Sequence, residues 1–400
     1  MKKHYFLGSA ANYNGRLWAH TFAVGQEKDR GALQRFLSQK YSGEAILTKN
    51  GRSALALALK AYFEPGDAVI VNGFTCYAVY EAVKAAKLIP IWVDINKDNL
   101  NFDAHTLEDL ISDSSRLARS GPSLRAELRS FRSSLVAYGL EPSETQIPVR
   151  GIIIQNSIGN PVDIVSIEKF AKQHNLTIIE DLAHCAGVKY PDGRETGTVG
   201  AAAALSFGKD KSIDTISGGA VVLRDPCKTA IKAPGKLPKV SDTLRARFYP
   251  LLGTISRGLS YIHLGGIWMR CLVKIHWVEK SADNKLDLER KIAKFEAKLA
   301  LRQLKELKKT GEAPIREFCL VRDRAEVLKK LQARGYYFSG FWYERPVSPE
   351  RYYKKVHFPE DKCPVATEVA KKIINLPTYY NKKDLEPARK IIAEYMEGEK

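Results

Sequence analysis

Two charged residues follow neighbouring apolar segments of the chain, at positions where side chains can do chemistry. Asp181 ends one apolar run, and Lys211 lies in the loop after the next run, between Ser206 and the pair Gly218–Gly219. A lysine amine forms a Schiff base with an aldehyde, and a carboxylate keeps a heteroaromatic nitrogen protonated. Pyridoxal 5′-phosphate (PLP) chemistry needs both groups, so the pair predicts a PLP site.

A third segment supplies groups that suit the phosphate of such a cofactor. The stretch NGRSALALAL places Gly51, Arg52 and Ser53 at the start of a helical pattern. Backbone N–H groups at a helix start, together with hydroxyl donors, bind phosphate. Each feature alone has an ordinary structural explanation, since a strand-ending aspartate often caps a helix. Their order on successive strand ends favours a site.

The elements around these residues alternate between short apolar runs and amphipathic stretches. This alternation predicts an α/β fold with a mainly parallel sheet covered on both faces. Ligands of such sheets bind at the carboxyl ends of the strands. Strands are predicted at 68–72, 89–95, 150–155, 176–181, 201–207 and 218–223, with helices at 77–87 and 163–175.

Two segments interrupt the alternation. Residues 112–134 carry five arginines and are predicted to be a surface insertion. Within 226–285, the run 245–278 has five lysine or arginine residues, several aromatics and no acidic residue. A long helix from about residue 286 opens a smaller C-terminal domain, with further helices at 322–334 and 384–397. The predicted division is a large PLP-binding domain with the N-terminal segment (1–225), a basic aromatic insertion or linker (226–285) and a small α+β C-terminal domain (286–400).

The net charge of +18 lies almost entirely in the second half of the chain. Residues 1–225 hold 26 basic and 24 acidic side chains, and residues 226–400 hold 37 and 21, so the balances are +2 and +16. A basic half suggests an anionic partner, although a solvated basic surface without a partner explains the same count. No apolar run is long enough for a membrane span or a secretory signal. The six dispersed cysteines predict reduced thiols in the cytoplasm rather than disulfides or a metal site.

The motifs together resemble the DegT/DnrJ/StrS aminotransferases, which are PLP enzymes of fold type I. The resemblance covers about residues 31–225 and 286–395. Its most specific element is the register from Lys211 to Gly218–Gly219. The other matching positions are Gly51, Arg52, Ser53, Ala54 and Leu55; Asp181, Ala183 and His184; Ser206 and Phe207; and the stretches 295–304 and 374–385.

This resemblance implies a role for each matched residue. Lys211 becomes the Schiff-base lysine and proton shuttle, and Asp181 pairs with the pyridine nitrogen. His184 lies against the ring near its phenolic oxygen, although a core histidine is the alternative. Ser206 and the turn at 51–53 bind the phosphate. Lys209, two residues from Lys211, is the rival lysine.

The sequence departs from the family pattern at several positions. Arg52 replaces a threonine and offers a guanidinium to phosphate or substrate. Cys76 replaces an aromatic that stacks on the PLP ring, with Phe74 or Tyr77 as substitutes. Glu289-Arg290-Lys291-Ile292 stands in place of an Asn-x-Arg-Met motif that reaches across the dimer, and Asn156 stands in place of a histidine. Tyr343 falls near the family's substrate-facing tyrosine.

The resemblance implies a homodimer that moves an amino group, with glutamate as donor, to a nucleotide-linked keto-sugar for polysaccharide synthesis. Two alternatives stay open: another PLP reaction on a non-sugar ketone, and a catalytically silent paralogue with a binding or regulatory role. Lysine at 211 argues against the related dehydratases, which carry histidine there. Nucleic-acid binding has no recognisable module. Residues 245–278 are predicted to lie outside the PLP site, either on an anionic membrane or as a helical cover on the dimer.

Overall fold

The structure is a computed structural model. The residues it describes are 5–7, 19–22, 24–117, 148–224, 226–262, 264–279, 283–310, 315–338, 342–378, 380 and 382–396. The predicted insertion at 112–134 therefore lies outside the described residues beyond position 117.

Strands and helices alternate through the first half of the described chain. The strands are β1 (Tyr5–Phe6), β2 (Glu44–Thr48), β3 (Ala68–Asn72), β4 (Thr75–Cys76), β5 (Ile89–Val93), β6 (Val149–Ile154), β7 (Thr177–Asp181), β8 (Ala202–Ser206), β9 (Gly219–Leu223), β10 (Arg316–Leu320), β11 (Tyr336–Tyr337), β12 (Val347–Ser348) and β13 (Ile373–Pro377). The helices are α1 (Glu27–Tyr41), α2 (Gly51–Tyr62), α3 (Tyr77–Ala85), α4 (Ala104–Leu117), α5 (Ile164–Gln173), α6 (Val240–Ser260), α7 (Gly265–Lys274), α8 (Lys294–Thr310), α9 (Arg324–Ala333), α10 (Glu350–Val356), α11 (Pro364–Lys372) and α12 (Lys382–Ala393).

A seven-stranded sheet in the order β2-β9-β8-β7-β6-β3-β5 forms the centre of the fold. Strands β8, β7, β6, β3 and β5 are parallel to one another, while β9 runs antiparallel to both β8 and β2. Strands such as β3 and β9 are buried on both faces, as their continuous Val, Ile and Ala sequences predict. The predicted α/β fold with a mainly parallel sheet is confirmed.

Helices cover both faces of this sheet because alternate side chains of each strand pack in opposite directions. On one face, α2 and α3 pack over Val69 and Val71 of β3. On the other face, α5 packs over Ile70, while α1 and α8 pack over β9 and β8. Three apolar clusters, one on the first face and two on the second, therefore pack the helices against the sheet.

Strand β2 was missed by the sequence analysis, and it matters for the site. Since β9 is antiparallel to both β2 and β8, the chain leaves β2 and β8 at the same edge of the sheet. Thr48 at the end of β2 and Ser206 at the end of β8 both pair with Gly219. This brings the turn at the start of α2 next to the end of β8.

The C-terminal part forms a separate apolar cluster around the antiparallel pair β10–β13. Strand β1 pairs with β11 there, although the sequence analysis grouped the N-terminal segment with the large domain. Strand β12 pairs with β4, which joins the C-terminal part to the chain just after β3. We keep the predicted domain division as a proposal, with β1 placed in the C-terminal part.

The long helix predicted from about residue 286 begins only at Lys294, so that prediction was wrong by about two turns. The backbone N–H groups before it are used elsewhere: Asp287 N–H donates to Ser53 Oγ (3.0 Å), and Lys291 N–H donates to the Lys236 carbonyl (3.1 Å). The Glu296 carboxylate accepts from Ala293 N–H at 2.9 Å and so caps the helix start. Tertiary contacts here outweigh helix propensity.

The predicted basic aromatic insertion contains the helices α6 and α7. They share an apolar cluster in which Tyr249 and Leu272 pack against Ile216 and Phe295. Among the described helices, none is both long and apolar enough to span a bilayer.

Candidate active site

A pocket opens at the carboxyl edge of the sheet, where the fold predicts a ligand. The empty space of about 790 Å³ at this position includes a part that is open to solvent. The pocket brings together every predicted site residue except Ser53, which lies buried directly behind the turn. The lining residues used below are Gly51, Arg52, Cys76, Asp181, His184, Ser206, Lys209, Lys211, Asn284 and Tyr343.

The amine of Lys211 meets the imidazole of His184 at the centre of the pocket. Lys211 Nζ lies 2.9 Å from His184 Nε2, and the Ile158 N–H donates to His184 Nδ1 at 3.1 Å. Because Nδ1 accepts, the neutral ring carries its proton on Nε2 and donates it to the lysine amine. Burial lowers the pKa of both groups, that of His184 well below its usual value. The geometry thus suits a neutral, nucleophilic amine.

Asp181 lies at the end of β7, on the same wall of the pocket. Burial raises the pKa of its carboxyl to about 6, while the Ala183 N–H and the Lys211 amine oppose the rise. The Ala183 N–H donates to Asp181 Oδ1 at 3.0 Å and orients the carboxylate. A buried carboxylate with a raised pKa is stabilised by a cationic partner, such as a protonated ring nitrogen.

The start of α2 lies next to the Ser206 hydroxyl at one end of the pocket. Asn50 caps this helix by accepting from the Ser53 N–H at 2.9 Å. A Cβ on Gly51 would lie 2.4 Å from Ser206 Cβ, so only glycine lets the helix start approach the strand end this closely. A helix N-terminus beside a hydroxyl is a suitable cradle for phosphate.

Arg52 reaches the pocket wall, and its guanidinium also makes contacts within the protein. It forms an ion pair with Glu81 of α3 and donates to the Asn284 carbonyl. Burial raises the pKa of Glu81, and the nearby guanidinium partly offsets that rise. The predicted phosphate or substrate contact of Arg52 stays a prediction.

The rival lysine, Lys209, points to a different part of the protein. Its Nζ donates to the Glu279 carbonyl at 2.5 Å and lies 3.9 Å from the centre of the Tyr249 ring. Burial lowers the pKa of Lys209 to about 8. Lys211, which contacts His184, is in the better position for cofactor chemistry.

The aromatic side chains of the site come from the C-terminal part. Neither proposed substitute for the aromatic at Cys76 lines the pocket, because Phe74 is buried behind Tyr343 (ring centroids 5.3 Å) and Tyr77 stacks on Tyr352 (4.4 Å). Tyr343 lines the pocket instead. Its hydroxyl lies 3.3 Å from His184 Nε2.

Trp342 was missed by the sequence analysis. Its indole stacks on His184 with ring centroids 4.7 Å apart and an angle of 17°, and it lies 4.6 Å from Lys211 Nζ. The buried Arg316 guanidinium lies 4.6 Å from the same ring. The sequence does contain a signal, because Trp342 directly precedes the predicted Tyr343. No local spacing relates Trp342 to His184, however.

The structure shows where two of the predicted departures from the family pattern lie. Asn156 is fully buried beside the pocket wall, where its Oδ1 accepts from the Val162 N–H at 2.9 Å and its Nδ2 lies 3.3 Å from the Tyr190 hydroxyl. In the stretch 289–292, Ile292 is buried, and Glu289 pairs with Lys236 at the surface (2.6 Å). Among the described residues of 245–278, none lines the pocket.

The fold is that of the PLP-dependent aminotransferases. The sequence profile of the DegT/DnrJ/EryC1/StrS aminotransferase family matches residues 30–233, and the chain belongs to this family. The chain is 30% identical over 210 residues to a GDP-perosamine synthase of Caulobacter vibrioides, a match covering 52% of this chain and 47% of that protein. The chain spans about half the length of the curated relatives it matches.

Solved structures share the fold over nearly the whole chain. S. venezuelae DesV superposes with a TM-score of 0.62 at 19% identity and covers 96% of this chain and 95% of its own. A DegT DnrJ EryC1 StrS aminotransferase from Brucella abortus gives a TM-score of 0.60 at 19% identity, with 96% of each chain covered. The predicted family, fold and PLP cofactor are confirmed.

The residues present fit this cofactor. The amine of Lys211 and the buried Asp181 carboxylate share one wall, and the close approach of Gly51 to Ser206 leaves a phosphate cradle beside them. Lys211 would hold the aldehyde carbon, Asp181 the pyridine nitrogen, and Ser206 with the start of α2 the phosphate. The assignment of each side chain remains a proposal.

Proposed function

We propose that this protein transfers an amino group, with glutamate as donor, to a keto-sugar carried on a nucleotide. The observation that supports this best is the contact between Lys211 and His184 beside the buried Asp181 carboxylate. Bound PLP supplies an electron sink for the carbon that gains or loses the amino group. Every other role in the proposed reaction is assigned to a side chain of this protein.

The chain's residues would divide the proton chemistry among them. Asp181 holds a proton on the ring nitrogen through its charge. Lys211 would hold the cofactor aldehyde, and its Nζ would accept and donate the proton that amino transfer moves. His184, kept neutral by burial and fixed by the Ile158 N–H, orients that amine. Trp342 and Tyr343 cover this pair and limit the entry of water.

The substrate class is supported by charge and by a relative. The C-terminal half of the chain carries an excess of 16 positive charges, and Arg52 brings a guanidinium to the pocket wall. A nucleotide diphosphate carries concentrated negative charge that such a surface attracts. The name of the similar GDP-perosamine synthase includes a nucleotide, and this supports a nucleotide-linked substrate.

The test is the initial rate of amino transfer from glutamate to nucleotide-linked and free forms of several keto-sugars, at two salt concentrations. We expect the linked sugar to react much faster, because the distant diphosphate contacts help to position the ketone. The Michaelis constant of the linked sugar should rise with salt, since screening acts over about 8–10 Å at physiological ionic strength. Equal rates for both forms would discard the nucleotide-sugar assignment in favour of a small non-sugar ketone. No transfer by a protein that traps PLP would favour the silent paralogue.

We also propose that the protein is a homodimer in the cytoplasm. All six cysteines are free thiols in the structure, which suits a reducing compartment. Light scattering after size-exclusion chromatography tests the assembly, and a mass near the 44.8 kDa of one chain would contradict it.

We further propose that α6 and α7 bind an anionic membrane surface. Ile262, between the two helices, is 62% exposed, and Ile275, just after α7, is 61% exposed. Exposed Arg270 and Lys274 lie on α7, so apolar and basic groups occur together as at lipid interfaces. Arg247 is used internally, since its guanidinium donates to the Thr21 carbonyl at 2.7 Å.

Sedimentation with vesicles tests the membrane proposal. We expect binding to vesicles with anionic lipid at low salt, and weaker binding at high salt or with Ile262→Ser. Val165→Ser on α5 is the matched control, because Val165 is also an exposed apolar residue (54%) and lies far from α6 in the sequence. Absence of sedimentation at low salt would overturn the proposal. So would a change of oligomeric state in Ile262→Ser, which would assign the surface to a second copy of the chain.

A further inference from the structure

The indole of Trp342 packs on the imidazole of His184 without lining the pocket itself. The two rings are nearly parallel, with centroids 4.7 Å apart and an angle of 17°. The Ile158 N–H holds one atom of the imidazole, Nδ1, at 3.1 Å. A hydrogen bond at one atom lets the ring tilt, whereas a parallel aromatic neighbour restrains its whole plane. The indole therefore helps to direct His184 Nε2 toward Lys211 Nζ, which lies 2.9 Å away.

Trp342 is held in turn by the antiparallel pair β10–β13 of the C-terminal part. Arg316, the first residue of β10, places its guanidinium 4.6 Å from the centre of the indole. Asn375 of β13 donates from Nδ2 to the Trp342 carbonyl at 2.6 Å, and its Oδ1 accepts from Arg316 Nη1 at 3.4 Å. One asparagine thus connects the backbone of Trp342 with the charged group beside its ring.

Both residues that hold the indole are buried, since Arg316 is 3% exposed and Asn375 is 0% exposed. Burial of a guanidinium is unfavourable unless its donors and its faces find partners. The partners of Arg316 include the Leu7 carbonyl, the Asn375 side chain and the face of the Trp342 indole. A cation against an indole face is favourable, and more so away from water. These contacts fix the guanidinium and the indole relative to each other.

The amine of Lys211 shares this indole with Arg316, because its Nζ lies 4.6 Å from the centre of the same ring. Burial is the largest cause that lowers the pKa of Lys211, and the Arg316 charge lowers it further. Three groups oppose both effects by favouring the charged amine: Cys76, Asp181 and Asp210. Two titratable neighbours stay neutral at pH 7: His184 and Tyr343. Arg316 is therefore placed to favour the neutral, nucleophilic amine.

We propose that Trp342 is a positioning residue of the amino-transfer site, whose indole fixes the plane of the His184 imidazole against the Lys211 amine. Arg316 fixes that indole and keeps a second positive charge near the amine. The inference rests on the proposed PLP site. It gives the C-terminal part a role in the chemistry of a lysine that belongs to the sheet, through a side chain outside the pocket lining.

The first measurement is the rate at which the full-length, cofactor-free protein captures PLP on Lys211, followed by borohydride quenching and mass spectrometry of the Lys211 peptide. Trp342→Met keeps much of the side-chain volume but removes the aromatic face. We expect it to slow capture by about 10- to 100-fold, because the amine loses its orientation. Trp342→Phe keeps an aromatic face and should restore most of the rate.

Trp92→Met is the matched control, because it removes a half-buried indole that packs on Phe358 (5.4 Å) in another part of the protein. It should capture PLP as fast as the wild type does. Wild-type capture by Trp342→Met would overturn the inference. So would equal losses in Trp342→Met and Trp342→Phe, since volume rather than the aromatic face would then be what matters.

The second measurement is the dependence of the capture rate on pH, which rises as the Lys211 amine loses its proton. Arg316→Met removes a nearby positive charge, so the midpoint of this profile should move to higher pH, whereas Arg316→Lys should leave it in place. Trp342→Met should not raise the midpoint, because it removes an aromatic face that favours the charged amine. The Arg316 variants keep the indole, so this measurement decides even if Trp342→Met does not fold.

An unchanged midpoint in Arg316→Met, or the same shift in Arg316→Lys, would overturn the role of the Arg316 charge. Failure of the wild-type protein to capture PLP on Lys211 would instead refute the proposed PLP site. The two failures are therefore distinguishable.

Discussion

The two walls of the pocket are built in different ways. On the sheet wall, Asp181 and Ser206 are the last residues of two buried parallel strands, so the register of the sheet fixes their positions. On the opposite wall, Asn284 and Tyr343 come from chain segments that reach the pocket through a few hydrogen bonds and a two-residue strand pairing. We therefore expect a substitution on the sheet wall to change the catalytic chemistry and to leave the positions of the neighbouring residues unchanged. One on the opposite wall should mainly change how cofactor and lysine are held.

The largest expected effect is on the sheet wall, at Lys211. Replacing it with alanine removes the group that moves the proton, so turnover should fall by about 10²–10⁴-fold. Borohydride should no longer trap PLP on the protein. Lys209→Ala is the matched control, because Lys209 contacts the Glu279 carbonyl and Tyr249 rather than His184. Trapping that survives in Lys211→Ala and disappears in Lys209→Ala would reverse the assignment.

The next effect concerns the charge of Asp181. Asp181→Asn keeps the shape and the N–H contact from Ala183 but removes the charge that holds a proton on the ring. We expect turnover to fall by about 10²-fold or more, since preorganised charge is a large part of catalysis. Cofactor binding should suffer less, because the phosphate contacts remain. Turnover close to that of the wild type would remove Asp181 from the cofactor site.

The same substitution should stabilise the cofactor-free protein. Folding raises the pKa of Asp181 from 3.8 to about 6, so the ionised carboxylate destabilises the fold above pH 6. The penalty shrinks between pH 6 and 4 and is absent below the unfolded pKa. At pH 7.5 we expect Asp181→Asn to raise the free energy of unfolding by about 3 kcal/mol. Thermal denaturation at pH 7.5 and pH 4 checks this, and equal gains at both values would contradict it.

The smallest effect is expected on the opposite wall, at Tyr343. Tyr343→Phe removes a hydroxyl 3.3 Å from His184 Nε2 and keeps the ring packed on Phe74. A neutral hydrogen bond contributes about 1 kcal/mol, so turnover should fall less than tenfold while PLP trapping stays complete. Tyr77→Phe, whose ring stacks on Tyr352 outside the pocket, is the control. Loss of trapped PLP in Tyr343→Phe would show that the opposite wall affects PLP trapping as strongly as the sheet wall does, and would contradict the comparison.

The sequence by itself determined the sheet wall. Lys211, Asp181 and Ser206 follow apolar runs whose length and burial are local properties, and parallel strands bring such ends to one edge. The family, fold and cofactor followed from the same residues. The strand β2 escaped notice because five residues of mixed character give a weak signal, although it places Gly51 beside Ser206.

Apart from Tyr343, which the resemblance had indicated, only the tertiary structure decided the opposite wall. Asn284 lies more than 200 positions from the helix it contacts, and Trp342 more than 150 positions from His184, so no periodicity or spacing relates them. The start of α8 at Lys294 likewise depends on backbone donors taken by Ser53 and Lys236. Local preferences specify strands and the residues that end them. Contacts between distant segments depend on how whole elements pack, and that is settled only when the chain has folded.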